Sequence, residues 1–232
     1  RKLFEVCRLR DIPIITFVNK MDRESRDPFE TLDEIEQTLA LDTAPVTWPI
    51  GRGRSFAGTL DLKRNLVRRL DTDAEPTPSH EVEGWREEVM LAQEALKPFE
   101  VKPFLEGHLS PVFFGSALKN FGVRDLIDAL AANAPPPRAQ EADKRTVEAS
   151  EPKMTGFVFK IQANMDPNHR DRIAFLRVCS GKLTRGMKAK LVRTGKQIPI
   201  NTPQFFFAND RSLAEEAYAG DVVGLPNHGT LR

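Results

Sequence analysis

The chain has 232 residues, 40% hydrophobic and 29% charged, which supplies core material for one large or two ordinary globular domains. No window approaches the roughly 18 unbroken apolar residues of a membrane span, and the charged opening Arg1-Lys2-Leu3-Phe4-Glu5 lacks the apolar run of a signal peptide, so no membrane and a cytoplasmic location are expected. The formal net charge of +1 divides unevenly: residues 1–150 carry 21 Lys and Arg against 26 Asp and Glu, while residues 151–232 carry 13 against 7.

A helical face of Leu3, Phe4, Val6 and Cys7 opens the chain. The β-branched apolar run Ile12–Val18, without alternation, predicts a parallel strand buried on both faces and ending at Asn19. Asp27-Pro28-Phe29-Glu30 combines an N-cap, a proline at the first helical position and a capping-box glutamate. The helix it starts carries the apolar stripe Phe29, Leu32, Ile35 and Leu39. Between about 44 and 82, Pro45, Pro49, Gly51, Gly53, Gly58, Pro76 and Pro78 punctuate short apolar pieces, which predicts a small β-rich insertion. Trp85, Val89, Ala92, Leu96 and Phe99 step as a helix does. Pro111-Val112-Phe113-Phe114 then reads as a second buried strand, ending at Gly115-Ser116-Ala117, and Val123, Leu126, Ile127 and Leu130 as the helix after it.

Strands alternating with helices predict an α/β fold with a parallel sheet over 1–137. The α/β region closes at the triple proline 135–137, and the polar stretch 138–152 reads as a linker. From 153 to 232 the text is strand and turn. Phe157, Phe159 and Ile161 alternate, as do Met187, Ala189 and Leu191, with Gly181, Gly186, Gly195 and Gly220 between the runs; an all-β barrel, which removes open edges by closure, is expected. Cys7 and Cys179 stand far apart and the four histidines are scattered, so neither a disulfide framework nor a metal site is legible.

Two strand ends carry candidate chemistry. Asn19-Lys20-Met21-Asp22 lies where open α/β sheets bind ligands. The two oxygens of Asp22 suit the ring N–H and exocyclic amino group of guanine, a donor pair that adenine does not present together. Asn19 is positioned to hydrogen-bond the base or to brace neighbouring loops, and the aliphatic stem of Lys20 to lie across the base plane. At the second strand end, Ser116-Ala117-Leu118 follows Gly115, and small residues let backbone N–H groups approach the guanine carbonyl oxygen. The plain alternative for each stretch is a polar strand-to-helix turn. In the basic last third, Arg170, Arg172, Lys182, Arg185, Lys188 and Lys190 are candidate RNA contacts, the alternative being solvated surface charge.

Taken together and in this order, Asn19-Lys20-Met21-Asp22 and Ser116-Ala117-Leu118 resemble the guanine-recognition motifs of the translational GTPase family. Phe157–Ile161, Arg177–Leu183 and Gly220–Leu225 resemble the β-barrel second domain of its elongation-factor group. Asn164–Arg172, Asn227-His228-Gly229-Thr230 and Val46–Gly51 are most similar to the bacterial peptide chain release factor 3 branch. The resemblance implies a GTP- or GDP-binding protein with Mg²⁺ that acts on the ribosome, its RNA and its proteins. It would promote departure of class I release factors after peptide release, with no DNA or membrane partner. An elongation-factor-G-like translocation GTPase, or a ribosomal-RNA-binding barrel without nucleotide chemistry, are the alternatives.

The phosphate-binding loop, switch threonine and Asp-x-x-Gly segment of such enzymes have no counterpart here. Gly181–Lys188 imitates a phosphate loop but has Met187-Lys188 where Lys-Ser/Thr is required. The expectation is therefore a piece of a larger GTPase, with the barrel truncated, no catalytic residue in this chain, no hydrolysis by it alone, and GDP bound by it alone weakly or not at all.

Overall fold

The computed structural model describes residues 2–72, 74–79, 86–163, 172–207, 210–227 and 229–231. Their contacts divide the chain into two units, Arg1–Ala134 and Pro135–Arg232. The first unit opens with helix α1 (Lys2–Leu9) and strand β1 (Thr16–Val18), which takes up only the end of the apolar run. Helix α2 (Pro28–Leu39) starts because the Asp27 carboxylate accepts the Phe29 N–H at 2.9 Å and Pro28 needs no donor there. It ends at Ala40, which is left-handed. Strand β2 (Asp42–Pro45) follows at once, tied back to the helix by the Glu36 carboxylate, which accepts from the Thr43 N–H and hydroxyl at 2.8 and 2.7 Å.

The insertion is an antiparallel meander of β3 (Thr47–Ile50), β4 (Gly58–Asp61), β5 (Leu66–Arg69) and β6 (Thr77–Pro78), with a 3₁₀ turn at Gly53–Ser55. Helices α3 (Arg86–Ala95) and α4 (Val101–Leu105) lead into β7 (Leu109–Phe114), fully buried, and α5 (Val123–Asn133) closes the unit. Trp85, expected on the third helix, lies outside the described residues. Strand β7 is the middle of a parallel sheet. It pairs with β1 from Thr16↔Val112 to Val18↔Phe114 and with β2 from Asp42↔Leu109 to Pro45↔Val112.

The core of this unit lies between the sheet and the insertion. Met21, Leu32, Trp48, Ile50, Phe56, Leu60, Val67, Val112, Phe114 and Phe121 form one buried cluster. Trp48 sits at its centre, with ring centroids 4.6 Å from Phe29 and 5.6 Å from Phe114. The neighbouring Thr47 hydroxyl accepts the Phe114 N–H at 3.0 Å, which pins the insertion to the central strand.

In the second unit the stretch read as a linker is not bare. Strands β8 (Gln140–Ala142) and β9 (Arg145–Val147) form a hairpin, and the Arg145 guanidinium grips the Glu151 carboxylate with Nη1 and Nη2, at 2.6 and 2.9 Å. Beyond it come β10 (Thr155–Ala163), β11 (Arg172–Ser180), β12 (Lys182–Thr184), β13 (Lys188–Lys190), β14 (Gln197–Pro199), β15 (Gln204–Phe207), β16 (Asp210–Leu213), β17 (Glu216–Tyr218) and β18 (Val222–Pro226). They form a five-stranded sheet in the order β10-β11-β18-β15-β16 and two pairs, β12-β17 and β13-β14. Among the described residues after 152 there is no helix.

Leu176, Val178, Leu183, Ile200, Ala214, Ala217, Val223 and Leu225 fill the interior of this unit. The alternating Phe157, Phe159 and Ile161 mark a strand, as expected, but face outward at 45%, 52% and 39% exposure, and Val158 packs inward instead. A register shift between Val158 and Lys160 accompanies this reversal. Cys7 is half-buried and free, and Cys179 is buried and free.

Candidate guanine-recognition site

Because β1 and β7 run parallel and side by side, the loops that leave their carboxyl ends meet. The Gly115 N–H donates to the Val18 carbonyl at 3.0 Å and the Met21 N–H to the Gly115 carbonyl at 3.1 Å, so the ladder continues past the strands into the loops. Gly115 has no room for a side chain: a Cβ there would stand 2.4 Å from the Phe121 carbonyl oxygen and 2.8 Å from the Phe17 ring. Beyond it, Ser116 and Phe121 exchange both backbone hydrogen bonds, at 3.0 and 2.9 Å, and close the second loop on itself.

The six residues named from the sequence fall on these two loops. Asn19 braces: its side-chain oxygen accepts from the Lys20 N–H at 2.7 Å and from the Ala117 N–H at 2.9 Å. Lys20 is exposed and left-handed at φ 68°, a conformation that costs a non-glycine residue about 1 kcal/mol or more. Met21 points into the core, at 1% exposure. Asp22 is therefore presented between a plugged methionine and the second loop. A hydrogen bond from the Ser116 hydroxyl holds its carboxyl below the ordinary value, against the upward push of burial, with Arg23 and Lys119 adding to the lowering.

The Asp22 Oδ1 atom is enclosed and has no partner among the described residues. The Leu118 N–H, unlike that of Ala117, donates to no acceptor among them. A carboxylate with one unfilled acceptor on the first loop and an unfilled backbone donor on the second suit a ligand edge that carries adjacent N–H groups and a carbonyl oxygen. These residues fit a guanine base. None of the described residues forms a cluster of three or more metal-ligating side chains, and no residue here is assigned to the phosphates or to Mg²⁺.

The basic candidates divide differently from the sequence expectation. The Lys182 ammonium pairs with Glu216 at 2.8 Å, which raises the lysine pKa and lowers that of the glutamate. Arg185 pairs with Glu215 at 2.9 Å and donates to the Asn201 carbonyl at 3.2 Å. Arg172 is exposed at the start of β11, and Arg170 lies outside the described residues, as do 164–169, 171 and His228. Lys188 and Lys190 are exposed on β13, without a carboxylate partner among the described residues. They line a cavity of about 560 Å³ together with Lys153 and Arg193, over an apolar floor that includes Met154, Leu176 and Ile198. Lys153 and Arg193 were not singled out by sequence, since no local window contains them both.

Residues 1–136 match the family model described as the elongation factor Tu GTP binding domain. The chain belongs to the translational GTPase family. In this translational GTPase, residues 153–232 match the model described as elongation factor G domain 2, so an α/β GTP-binding domain is followed by a β-rich one, in agreement with the sequence expectation. A crystal structure of a protein from Thermus thermophilus is similar in fold, with a TM-score of 0.75 and 22% identity over 100% of this chain. The chain spans 36% of the length of that relative. Among the described residues no helix is long and apolar enough to cross a membrane.

Proposed function

We propose that this chain is the guanine-reading part of a ribosome-associated GTPase of the release factor 3 type, cytoplasmic, which helps class I release factors leave the ribosome during termination. One observation carries the nucleotide half of this reading: an oxygen of Asp22 is enclosed without a partner among the described residues, on a loop that the Asn19 side chain ties to the Ala117 N–H of the adjacent strand end. Asp22 accepts from the base, Ser116 orients Asp22, Asn19 locks the two loops together, and the Leu118 N–H meets the base carbonyl, while Lys20 and Ala117 shape the rim. Mg²⁺ bound with the nucleotide would neutralise phosphate charge during hydrolysis, a step to which this chain contributes base recognition alone.

The termination branch rests on the resemblance of Asn164–Arg172, Asn227–Thr230 and Val46–Gly51. A second reading, an elongation-factor-G-like translocation GTPase, is favoured by the match of residues 153–232 to elongation factor G domain 2. Release of bound class I release factor from ribosomes, measured beside movement of messenger RNA, separates the two.

The nucleotide reading is tested by competition of GDP, ADP and xanthosine diphosphate against fluorescent GDP on the longer natural protein. GDP alone competes in the wild type. In Asp22→Asn the preference moves toward xanthosine diphosphate, because an acceptor becomes a donor, with GDP weakened roughly 10-fold or more for a charged hydrogen bond lost at about 1.5–3 kcal/mol. An unchanged ranking in the variant removes Asp22 from the base pocket.

A further inference from the structure

The insertion reaches the base-reading loops at one turn, Gly51-Arg52-Gly53-Arg54-Ser55-Phe56 between β3 and β4. Its Gly53 N–H donates to the Met21 carbonyl at 2.9 Å. Gly53 is left-handed at φ +59°, and a Cβ built on it would come within 3.5 Å of the Arg23 carbonyl oxygen, so the turn lies against the backbone on both sides of Asp22. Phe56, 5% exposed, stands edge-on to Phe121 with centroids 5.7 Å apart and planes at 84°. Phe121 is the residue that exchanges both backbone hydrogen bonds with Ser116. Arg52 pairs at 3.0 Å with Asp27, whose carboxylate also caps α2 directly after the first loop.

A single turn thus touches the backbone beside Asp22, the loop that carries Ser116, and the helix start behind them. We propose that the Gly51–Phe56 turn positions the guanine-recognition site, Gly53 holding the Met21–Asp22 backbone and Phe56 holding the Ser116 loop, so that a load on the insertion changes how the base is read. This rests on the reading of Asp22 and Ser116 as base-recognition residues. The turn acts by fixing the distance and orientation of the Asp22 carboxylate and of the loop that carries Ser116 and Leu118, a task in which displacements well under 1 Å matter.

The test uses the natural protein that contains this chain, as in the nucleotide competition, in three variants: Phe56→Ala, Arg52→Ala at the surface, and Val67→Ala, which opens the same hydrophobic cluster away from the loops. The readout is the Asp22 carboxyl titration by carbon-13 NMR, together with the amide shifts of Lys20, Asp22 and Leu118 on adding GDP or ADP. Phe56→Ala is expected to move the Asp22 titration up toward an ordinary carboxylate and to shrink the difference between GDP and ADP shifts several-fold. Arg52→Ala moves both in the same direction and by less, and Val67→Ala leaves both in place although it lowers the melting temperature. If Phe56→Ala leaves the titration where it was, or Val67→Ala moves it as far, the turn is packing and the proposal fails. If GDP and ADP shift the wild-type amides alike, the base reading fails, whereas the carboxyl titration still decides whether the turn holds Asp22.

Discussion

The Asn19 side chain accepts a hydrogen bond at 2.9 Å from the backbone N–H of Ala117, a residue 98 positions further along the chain. The same oxygen accepts from its own neighbour Lys20, so one side chain defines the distance between the two loops. Asn19→Ala removes both hydrogen bonds at an exposed position and is expected to lower stability by only about 1 kcal/mol. Discrimination between GDP and ADP should fall further than stability does. Urea unfolding beside nucleotide competition on the longer natural protein checks the pair; a variant that loses stability but keeps its discrimination would show Asn19 to be a fold residue only.

Trp48 is wholly buried, tilted against Phe29 of α2 and edge-on to Phe114 of β7. Trp48→Ala leaves a large cavity where helix, insertion and central strand meet, and a loss of about 3–5 kcal/mol is expected. Denaturant titration of the variant measures it. A loss below about 1 kcal/mol would mean that the insertion and the sheet are not one cooperative core.

Burial pushes the Asp125 carboxyl above its ordinary value, with Asp61 and Asp128 adding to the push and Arg68, 3.6 Å away, opposing it. A folded-state pKa above the unfolded one means that the native state binds the extra proton, so stability falls as pH rises through the window between the two values. Asp125→Asn removes that dependence. The stability of the variant relative to wild type should therefore grow as pH rises through that window from below the ordinary carboxylate range, and then stay level. Urea midpoints at a series of pH values read this directly; curves that run parallel throughout would contradict it.

Lys188 and Lys190 have no carboxylate partner among the described residues, whereas Lys182 is held by Glu216. If this face meets RNA phosphates, Lys188→Ala and Lys190→Ala each reduce the slope of log affinity against log salt by about 1, and Lys182→Ala changes it little. Ribosome pelleting over a range of salt concentrations measures the slopes. Equal slopes in all three variants would remove the cavity rim from the contact.

The sequence was informative where local rules act alone. Asp27-Pro28 starts its helix because cap and proline chemistry involve only neighbours, and the two strand ends were found because unbroken apolar runs stop abruptly at Asn19 and Gly115. It was silent where the decisive contact is distant. Strand β2 is four residues long, ends in proline and exists through its pairing with β7, which no local window contains. Phe157 and Phe159 announce a strand but not its orientation, since period two is the same whichever face is buried. At the site, Asn19, Asp22 and Ser116 were legible by residue type. Gly53 and Phe56 were not, because their part depends on a turn of the insertion returning to loops that lie far away in sequence.

The first unit combines two kinds of sheet that differ in the length of chain each must close. The meander β3–β4–β5 joins near neighbours such as Leu60 and Val67, so its loop-closure entropy is small. The parallel sheet pairs Thr16 with Val112, far along the chain, and must wait for that closure. The insertion is thus able to form as an early nucleus, against which the Asn19 and Ser116 loops are gathered last. In a refolding experiment, selective guanine recognition would be the final property to return, after secondary structure and the Trp48 environment are already native.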